Sequence, residues 1–375
     1  VQAKAGNSIR LTIDRDIQYV AENAIARAVK SSMAKSGTVI VMDPKTGQIL
    51  AHATAPTFDP NKPVKLSDVH NASVEEVYEP GSTGKVMTLA AAIEENLVTP
   101  TTVFTVPYAL KTKYATFHDH ERHPNQQLTT AGILAVSSNT GTIQIGAKLS
   151  DQKLYDYLRA FGVGSSTESG LPGESPGLIN SPNNWSGTSK PTMSFGQGYS
   201  LTAMQATSIF ATIANDGVRV EPTVIAGTLD AQGHYTPAKS RKNIRVVSAE
   251  TAQKMRLMME SVVSANGTAP SAAIPGYRIA GKTGTAQRSV NGHYSGYTAS
   301  FIGFAPADNP RYVISVTIQA PQGMHWGGVL GGPVFKEVMS YVLEAKHIPP
   351  SNTKVTPIPL NAAQLAAAAP KEKKQ

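Results

Sequence analysis

The sequence predicts an α+β fold, in which a five-stranded antiparallel sheet is flanked by terminal helices and a helical subdomain lies beside it. Strand-like segments lie near both ends of the chain, whereas the long middle, residues 82–265, is rich in helix-forming patterns. A sheet assembled from the two ends, with helices packed on it, satisfies this order. The hydrophobic content of 41% and the charged content of 16% are typical of a folded globular protein.

The first part of the sheet is preceded by an amphipathic helix at residues 14–29. Apolar side chains recur there at positions i, i+3, i+4 and i+7, which is the spacing of one helix face. Residues 38–42 and 48–53 are predicted to be strands. Between them, Asp43-Pro44-Lys45-Thr46-Gly47 has the residue types of a turn, so we expect a hairpin.

The second part of the sheet comes after the helical middle. Residues 277–285, 298–305 and 312–319 are predicted strands, and a turn with two prolines joins the last two. A closing helix is predicted at residues 333–343, with Pro333 at its first position. Proline is suited to this position because a backbone N–H there makes no hydrogen bond within the helix. The helices predicted in the middle cover residues 82–95, 130–149, 151–161, 202–215 and 249–261.

Composition limits the chemistry and the partners of the chain. The absence of cysteine excludes a thiol nucleophile, a thiolate metal site and a disulfide. The net charge of +8 is scattered and no nucleic-acid motif accompanies it, so we predict a solvated basic surface and no nucleic-acid partner. We expect residues 1–350 to form one domain and the Pro-, Ala- and Lys-rich residues 351–375 to form a disordered tail.

Ser82-Thr83-Gly84-Lys85 is the first of three short motifs that suit catalysis. The turn-forming pair Pro80-Gly81 precedes it and an apolar helical stripe follows it, so a helix should begin at Ser82. Lys85 then lies on the same helix face as the Ser82 hydroxyl. It can accept the hydroxyl proton if burial beside a second cation lowers its pKa. Taken alone, the fragment is better explained as an N-terminal serine with a solvated lysine.

Two further motifs supply the remaining groups. Ser137-Ser138-Asn139 interrupts a helix-forming stretch. Its first hydroxyl suits a relay between two lysines, and the Asn139 amide offers a donor and an acceptor. Lys282-Thr283-Gly284-Thr285 lies on a predicted edge strand, where Lys282 is the candidate second cation and Gly284 allows a substrate to approach closely. Taken alone, the serine pair would be explained as a helix cap.

The three motifs, in this order, are those of the serine enzymes that react with penicillin. Supporting phrases are Leu11-Thr12-Ile13-Asp14 with Gln18, Asp43-Pro44-Lys45-Thr46-Gly47, Glu79-Pro80-Gly81 and Gly196-Gln197-Gly198. Over residues 8–345 the chain resembles the class B penicillin-binding proteins of the cell-division type. The resemblance implies the penicillin-binding-protein transpeptidase fold, which is similar to that of the serine β-lactamases.

The resemblance also implies an activity, that of a serine D,D-transpeptidase that cross-links peptidoglycan stem peptides through an acyl-enzyme and is inhibited covalently by β-lactams. The implied catalytic residues are Ser82, Lys85, Ser137 and Lys282, and the implied substrate-binding residues are Asn139, Thr283, Gly284 and Thr285. In the family, the two threonine hydroxyls receive the terminal carboxylate of the substrate, and the N–H groups of Ser82 and Thr285 form the oxyanion hole. Gly84 departs from the pattern, because a larger residue often fills its place, and we expect it to open space near Lys85.

The resemblance implies no metal and no organic cofactor. The implied partners are peptidoglycan stem peptides and β-lactam antibiotics, together with a membrane glycosyltransferase and division proteins. The implied location is the extracytoplasmic face of the bacterial cell membrane, with an anchoring helix expected upstream of the printed sequence. No apolar run in this sequence reaches the length of a membrane span.

Three other patterns are weaker. Residues 276–283 match the phosphate-binding loop letter for letter, but a strand and not a helix is predicted around the lysine. Residues 117–123, with three histidines and two acidic residues, lack the spacing of metal ligands, so we predict a solvated loop near the cleft. His325 and Trp326 are expected in a flexible loop that forms a wall of the cleft.

Two alternative functions remain open. A β-lactamase or D,D-carboxypeptidase would share the motifs but use water as the acceptor, and a β-lactam sensor would bind the drug without a catalytic role. A β-lactamase needs a carboxylate to hydrolyse its acyl-enzyme, and Glu174 is the candidate, although its turn-rich surroundings predict a structural role. The length of the helical insert and the phrase Leu11-Thr12-Ile13-Asp14 favour the transpeptidase.

Overall fold

The structure, a computed structural model, describes residues 6–64, 69–290, 293–354 and 357–368. Its strands are β1 (Ser8–Leu11), β2 (Ser36–Met42), β3 (Ile49–Ala55), β4 (Val77–Tyr78), β5 (Val103–Val106), β6 (Ala109–Lys111), β7 (Thr116–His118), β8 (Gln126–Thr129), β9 (Leu201–Thr202), β10 (Val218–Val220), β11 (Ile225–Leu229), β12 (Tyr235–Pro237), β13 (Asn243–Arg245), β14 (Ala280–Val290), β15 (His293–Ala305) and β16 (Tyr312–Gln319). Its helices are α1 (Arg15–Ser31), α2 (Ala72–Glu75), α3 (Lys85–Glu94), α4 (Thr130–Ala135), α5 (Asn139–Gly146), α6 (Asp151–Ala160), α7 (Ser189–Ser194), α8 (Ala203–Ala214), α9 (Ala249–Val263), α10 (Gly327–Ala345) and α11 (Ala362–Ala368).

A five-stranded antiparallel sheet organises the fold, as the sequence predicted. Its strand order is β14-β15-β16-β2-β3, so the two halves of the chain meet where β16 pairs with β2. The terminal helices α1 and α10 pack on one face, where Phe335 meets Phe301 edge to face at 4.9 Å between ring centroids. Helix α8 packs on the other face, and the hydroxyls of Thr207 and Ser315 lie 2.7 Å apart there. Both faces of the sheet are therefore covered, and β14 is left as one edge.

The start of the chain is fastened to the other edge of the sheet. The Asp14 carboxylate accepts hydrogen bonds from two N–H groups at the start of α1, which is the capping that a helix N-terminus requires. The Thr12 hydroxyl donates to the carbonyl of Ile49 at 2.6 Å, and the Gln18 amide bonds both the N–H and the carbonyl of His52. The opening phrase and Gln18 therefore satisfy backbone groups that the edge strand β3 would otherwise expose.

Helix α10 differs from the prediction at its start. It begins at Gly327, so that Pro333 lies inside the helix and not at its first position. A Cβ on Gly327 would lie 2.2 Å from the backbone oxygens of Gly284 and Ser300. The first turns of the helix therefore pack against the sheet edge more closely than any side chain would allow. Pro333 removes one hydrogen bond from the helix, and this loss costs about 3 kcal/mol in an unsupported helix. The close packing of the first turns offsets this loss.

The helical subdomain lies between β4 and β14 in the sequence and has α3 at its centre. Nine of the ten residues of α3 are buried, and the helix contacts α4, α5, α6 and α9. The predicted helix at residues 130–149 is two helices, α4 and α5, separated by residues 136–138. Helix α9 packs along β14, so the subdomain borders that edge of the sheet. Among the described residues, no helix has both the length and the apolar composition that a membrane crossing requires.

The C-terminal segment 357–368 differs from the predicted disordered tail. The carbonyl of Leu360 accepts a hydrogen bond from the Thr129 N–H at 3.1 Å, and the carbonyl of Pro359 accepts one from the Thr129 hydroxyl at 2.7 Å. Gly132 makes room for this contact, because a Cβ there would lie 1.8 Å from the Leu360 oxygen. Hydrogen bonds from Thr129, at the start of α4, to two backbone carbonyls hold the segment in place. Amino-acid composition does not reveal such contacts. The lysines of the predicted tail (Lys371, Lys373 and Lys374) lie outside the described residues.

The Gly132 contact predicts that the cost of Gly132→Ala depends on the C-terminal segment. In the full chain the new methyl meets the Leu360 carbonyl, and we expect the free energy of unfolding to fall by about 1–3 kcal/mol. In a chain that ends after Lys354, the same substitution should be neutral or stabilising, because alanine is a better helix former than glycine by about 1 kcal/mol. Urea unfolding of the four proteins measures this coupling. Equal costs in both chains would show that the segment does not lie on α4.

Candidate active site

A cleft between β14 and the helical subdomain holds the predicted motifs. Its cavity has a volume of about 610 Å³. Five of the predicted site residues line it, namely Ser82, Ser137, Asn139, Thr283 and Thr285. Lys85 and Lys282 lie beneath the floor of the cavity, and neither is exposed to solvent. The fold therefore brings together all three motifs, which are far apart in the sequence.

Ser82 lies in a tight turn that leads into α3. Residues Gly81–Gly84 form one 3-10 turn, and Gly81 has the left-handed φ of +53° that glycine adopts without strain. The Gly81 N–H donates to the carbonyl of Gly196 at 2.8 Å. A Cβ on Gly196 would in turn lie 1.8 Å from the Gly81 oxygen. The phrase Gly196-Gln197-Gly198 therefore holds the turn that presents Ser82 to the cavity.

The sequence suggested that Gly84 opens space near Lys85. In the structure, Gly84 instead makes room for a tyrosine. A Cβ on Gly84 would lie 2.4 Å from the hydroxyl of Tyr199 and 2.9 Å from the Cα of Gly196. Tyr199 is buried, and burial raises the pKa of its hydroxyl. The small residue at position 84 is therefore compensated by the large side chain of Tyr199, which fills the space behind the turn.

Ser137 lies between the two buried lysines. The Nζ of Lys282 donates to the Ser137 Oγ at 2.8 Å. The Nζ of Lys85 lies 3.3 Å from the same Oγ and 2.5 Å from the Ser137 carbonyl oxygen. Ser137 has a φ of +61°, a left-handed conformation that is uncommon for a residue other than glycine and that points to a local constraint. The Lys85 amine donates to Ser137 and not to Ser82 in the described contacts, and such catalytic hydrogen bonds are often long before a substrate binds.

Burial sets the protonation of the two lysines. It lowers the pKa of Lys85 to about 7, although the charge of Asp119 acts in the opposite direction. Burial also lowers the pKa of Lys282 well below its ordinary value, and the neighbouring charge of Lys85 lowers it further. Removing an ammonium from water is costly and two of them repel each other, so the pair favours a state in which one amine is neutral. A neutral amine in this position can accept a proton.

Asp119 is a residue that the sequence analysis missed. It is 9% exposed, and its carboxylate accepts hydrogen bonds from the Ser138 hydroxyl at 2.6 Å and from the N–H groups of Asn139 and Thr140 at 2.5 and 2.9 Å. The carboxylate thus caps α5, where a negative charge is favourable. It also fixes the backbone on the C-terminal side of Ser137. In the sequence, Asp119 is only an acidic residue in a polar loop. No local pattern indicates that it binds residues 19 to 21 positions further along the chain.

The loop that contains Asp119 lies beside the cleft with His118, His120, Glu121 and Arg122 exposed, as predicted, but it is also tied to the cleft by specific contacts. The carbonyl of His118 accepts a hydrogen bond from the Asn139 side-chain amide at 3.1 Å. The His120 ring meets Trp326 at 4.2 Å between centroids, and His123 pairs with Asp119 at 3.1 Å. Trp326 lines the cavity, as expected for a cleft wall. In the part of the chain that the structure describes, no three acidic or histidine side chains converge as metal ligands would.

The third motif lies along β14, with two threonines toward the cavity. The Thr283 and Thr268 hydroxyls are 2.8 Å apart, and the Thr285 hydroxyl accepts from the Gly327 N–H at 3.2 Å. Gly284 has a packing role in this structure, because a Cβ there would lie 2.3 Å from the Ser300 Oγ. Its small size lets β14 pack beneath Ser82. Because β14 starts before Lys282, no helix begins at this lysine, which excludes the phosphate-binding loop.

Glu174 lies outside the cavity. Its carboxylate accepts hydrogen bonds from the Thr167 N–H at 2.8 Å, from the Thr167 hydroxyl, and from the hydroxyls of Ser166 and Ser169. These bonds fold residues 166–174 into a closed turn. The structural role predicted for Glu174 is therefore confirmed, and it does not lie among the residues that line the cleft.

Known proteins resemble this chain over most of its length. Residues 37–340 match the penicillin binding protein transpeptidase domain. Penicillin-binding protein PbpB of Mycolicibacterium smegmatis is 40% identical over 372 residues, which cover 95% of this chain and 57% of PbpB. Peptidoglycan D,D-transpeptidase FtsI of Escherichia coli is 33% identical over 361 residues, which cover 93% of this chain and 58% of FtsI. The chain thus spans a little more than half the length of these two relatives.

A solved structure shows the same fold. Penicillin binding protein 3 of Mycobacterium tuberculosis, complexed with ampicillin, matches with a TM-score of 0.91 at 38% identity. The match covers 96% of this chain and 84% of that one. The fold that the resemblance implied is therefore confirmed over nearly the whole chain.

The contacts of Asp119 predict that Asp119→Asn destabilises the fold. The amide that replaces one carboxylate oxygen cannot accept from the Ser138 hydroxyl, and hydrogen bonds to charged groups contribute about 1.5–3 kcal/mol each. We expect the free energy of unfolding to fall by about 2 kcal/mol. Chemical denaturation measures the change, with the surface substitution Asp156→Asn as the matched control. An Asp119→Asn protein as stable as the control would contradict the role of this carboxylate as a cap.

Proposed function

The chain belongs to the class B penicillin-binding protein transpeptidases, and on that premise we propose that it is a serine D,D-transpeptidase that cross-links peptidoglycan stem peptides. One observation carries the proposal: the Ser137 hydroxyl lies within 2.8 and 3.3 Å of two buried lysine amines, at the edge of a cavity that also holds Ser82. A buried amine with a lowered pKa supplies the base that a serine nucleophile needs.

In the first half of the proposed reaction, the Ser82 Oγ attacks the carbonyl between the two terminal D-alanines of a stem peptide. Lys85, as the neutral amine, accepts the hydroxyl proton. The N–H groups of Ser82 and Thr285 hold the oxyanion of the tetrahedral intermediate. Proton transfer through the Ser137 hydroxyl then neutralises the departing amine, and D-alanine leaves while the acyl group stays on Ser82.

In the second half, the amine of a neighbouring stem peptide attacks the acyl-enzyme. The same base accepts a proton from that amine, the Ser82 oxygen departs and regains a proton, and the new peptide bond is the cross-link. Thr283 and Thr285 are proposed to bind the terminal carboxylate of the donor, and the Asn139 amide its backbone. Gly284 contributes by letting β14 lie close beneath Ser82, as its contacts support.

The position of Glu174 favours the transpeptidase over a β-lactamase. Rapid hydrolysis of a β-lactam ester requires a base beside the ester, and Glu174 is engaged with Ser166, Thr167 and Ser169 away from the cavity. Asp119 lines the cavity, but its oxygens accept several hydrogen bonds from residues 138–140 and His123. Neither carboxylate is arranged to activate water.

The location and the protein partners follow from the family resemblance. We propose that the protein acts at the extracytoplasmic face of the bacterial membrane, where its peptidoglycan substrate lies. A membrane glycosyltransferase that supplies new strands and division proteins are the proposed partners. β-Lactams are proposed as covalent inhibitors, and the solved ampicillin complex of the Mycobacterium tuberculosis protein supports this by similarity.

The proposed nucleophile predicts a long-lived ester with penicillins. Incubation with benzylpenicillin should add one drug mass per chain, and the adduct should persist for hours because neither Glu174 nor Asp119 is arranged to activate water. Intact-mass spectrometry over time measures the adduct, and Ser82→Ala should prevent it. Return of free enzyme within seconds, with hydrolysed drug in solution, would instead identify a β-lactamase.

The lowered pKa of Lys85 predicts the pH dependence of acylation. Below pH 7 the amine is protonated and cannot accept the Ser82 proton, so the second-order rate constant should fall about tenfold for each pH unit well below pH 7 and level off above it. Because Asp119 raises this pKa, Asp119→Asn should move the midpoint to lower pH. Stopped-flow acylation with a chromogenic cephalosporin measures both profiles. A profile that is flat from pH 5 to 8 would exclude Lys85 as the base.

A further inference from the structure

Thr268, in the segment between α9 and β14, lines the active-site cavity and has no role in the mechanism above. Its side chain is exposed at the rim of the cavity, and its hydroxyl lies 2.8 Å from the hydroxyl of Thr283. Within the described part of the chain, this is the one hydrogen bond of the Thr268 hydroxyl. The segment therefore adds a hydroxyl to the groups that the three motifs supply.

Close packing of the backbone fixes the position of Thr268. The Ala269 N–H donates to the carbonyl of Val262 at 2.9 Å, which folds the segment back onto the end of α9. A Cβ on Gly267 would lie 2.2 Å from the same carbonyl oxygen. A Cβ on Gly328 would lie 2.1 Å from the carbonyl oxygen of Thr268. The end of α9 and the start of α10 therefore hold this residue beside β14.

The second threonine of the third motif shows what a donor beside such a hydroxyl achieves. The Thr285 hydroxyl accepts a hydrogen bond from the Gly327 N–H at 3.2 Å. A hydroxyl has one hydrogen to donate and two lone pairs that accept, whereas a backbone N–H can only donate. The Gly327 N–H therefore occupies the accepting side of Thr285 and leaves its hydrogen available to a group in the cavity.

A bound carboxylate would fix the direction of the hydrogen bond between Thr268 and Thr283. An ionised carboxylate only accepts, so the Thr283 hydroxyl must use its single hydrogen to bind it. The hydrogen between the two threonines must then come from Thr268. The Nζ of Lys282, which lies 3.3 Å from the Thr283 Oγ, is also a donor. Both neighbours of this oxygen would thus approach its lone pairs, as Gly327 does at Thr285.

We propose that Thr268 is a positioning residue that acts on the substrate carboxylate through Thr283. Its hydroxyl donates to the Thr283 oxygen, so that the Thr283 hydrogen points into the cavity. A hydroxyl that accepts one hydrogen bond is polarised and donates a stronger one, here to a charged acceptor. The inference rests on the proposed transpeptidase function and on the role proposed there for Thr283.

Benzylpenicillin and its methyl ester test the proposal, because both present the same β-lactam ring to Ser82 but only the acid carries a carboxylate. Rapid-quench intact-mass spectrometry gives the second-order rate constant of acylation for each, and the acid-to-ester ratio is compared among variants. Thr268→Val should lower this ratio about three- to tenfold, the effect of one net hydrogen bond, and leave the rate constant of the methyl ester unchanged. Thr268→Ser keeps the hydroxyl and should keep the wild-type ratio.

Two further variants serve as control and as test of the route. Ser264→Ala removes a hydroxyl from the same segment, one that donates to the carbonyl of Ser261 at 2.7 Å, and it should keep the wild-type ratio. The double variant Thr268→Val/Thr283→Val should have the same ratio as Thr283→Val alone, because residues that act as one unit are not additive. Additive losses would show that Thr268 binds the carboxylate by itself and would overturn the positioning role.

The ratios separate this proposal from the proposed function. Each ratio compares two ligands on one protein, so general damage to the fold, which slows both, cancels. If wild-type protein prefers the acid and Thr268→Val keeps the full preference, the positioning role is excluded and the transpeptidase proposal stands. A wild-type ratio near one would exclude carboxylate binding by Thr283, and this inference with it. Failure of benzylpenicillin to acylate Ser82 would instead overturn the function itself.

Discussion

Two buried lysine side chains meet one serine hydroxyl at the floor of the cleft, and much of the structure supports this contact. Lys85 comes from the first turn of a buried helix, Lys282 from the edge strand, and Ser137 from a break between two helices. Two ammonium groups cannot both remain charged at such a distance without water. The contact therefore requires a proton to be shared or displaced, which is the condition for acid–base chemistry at a serine.

The surroundings of this contact hold it rigidly. Ser137 adopts a left-handed backbone conformation, and Asp119 binds the three residues that follow it. On the other side, glycines at positions 196 and 284 let two chain segments lie against the turn of Ser82 more closely than larger residues would. Rigid support of this kind matters because catalytic groups act only within narrow limits of distance and angle. The activity therefore depends on the Asp119 carboxylate and on the small size of Gly196 and Gly284 as much as on the reacting groups.

Much of the fold and most of the site residues could be predicted from the sequence, because their signals are local. The five strands carry turn residues at their ends, and each motif is a run of three or four residues. What could not be predicted depends on contacts between distant segments. Asp119 binds residues about twenty positions away, Gly84 matches Tyr199, and the C-terminal segment binds Thr129. Periodic patterns in the sequence do not indicate such pairs of distant residues. The ordered structure of the polar loop around Asp119 and of the C-terminal segment could therefore not be predicted.

The pairing of β2 with β16 has a consequence for how the protein reaches its native state. The strands of this pair, such as the segments around Val39 and Val316, are separated by most of the length of the chain. Until β16 has been synthesised, the β2–β3 hairpin lacks its neighbour and exposes an unpaired apolar edge. Contacts between residues so distant in sequence slow folding, since a long loop must close before they form. Because the sheet is completed only after the whole helical subdomain has been synthesised, the nascent chain carries this unpaired edge throughout that interval, and unpaired strand edges are prone to aggregation.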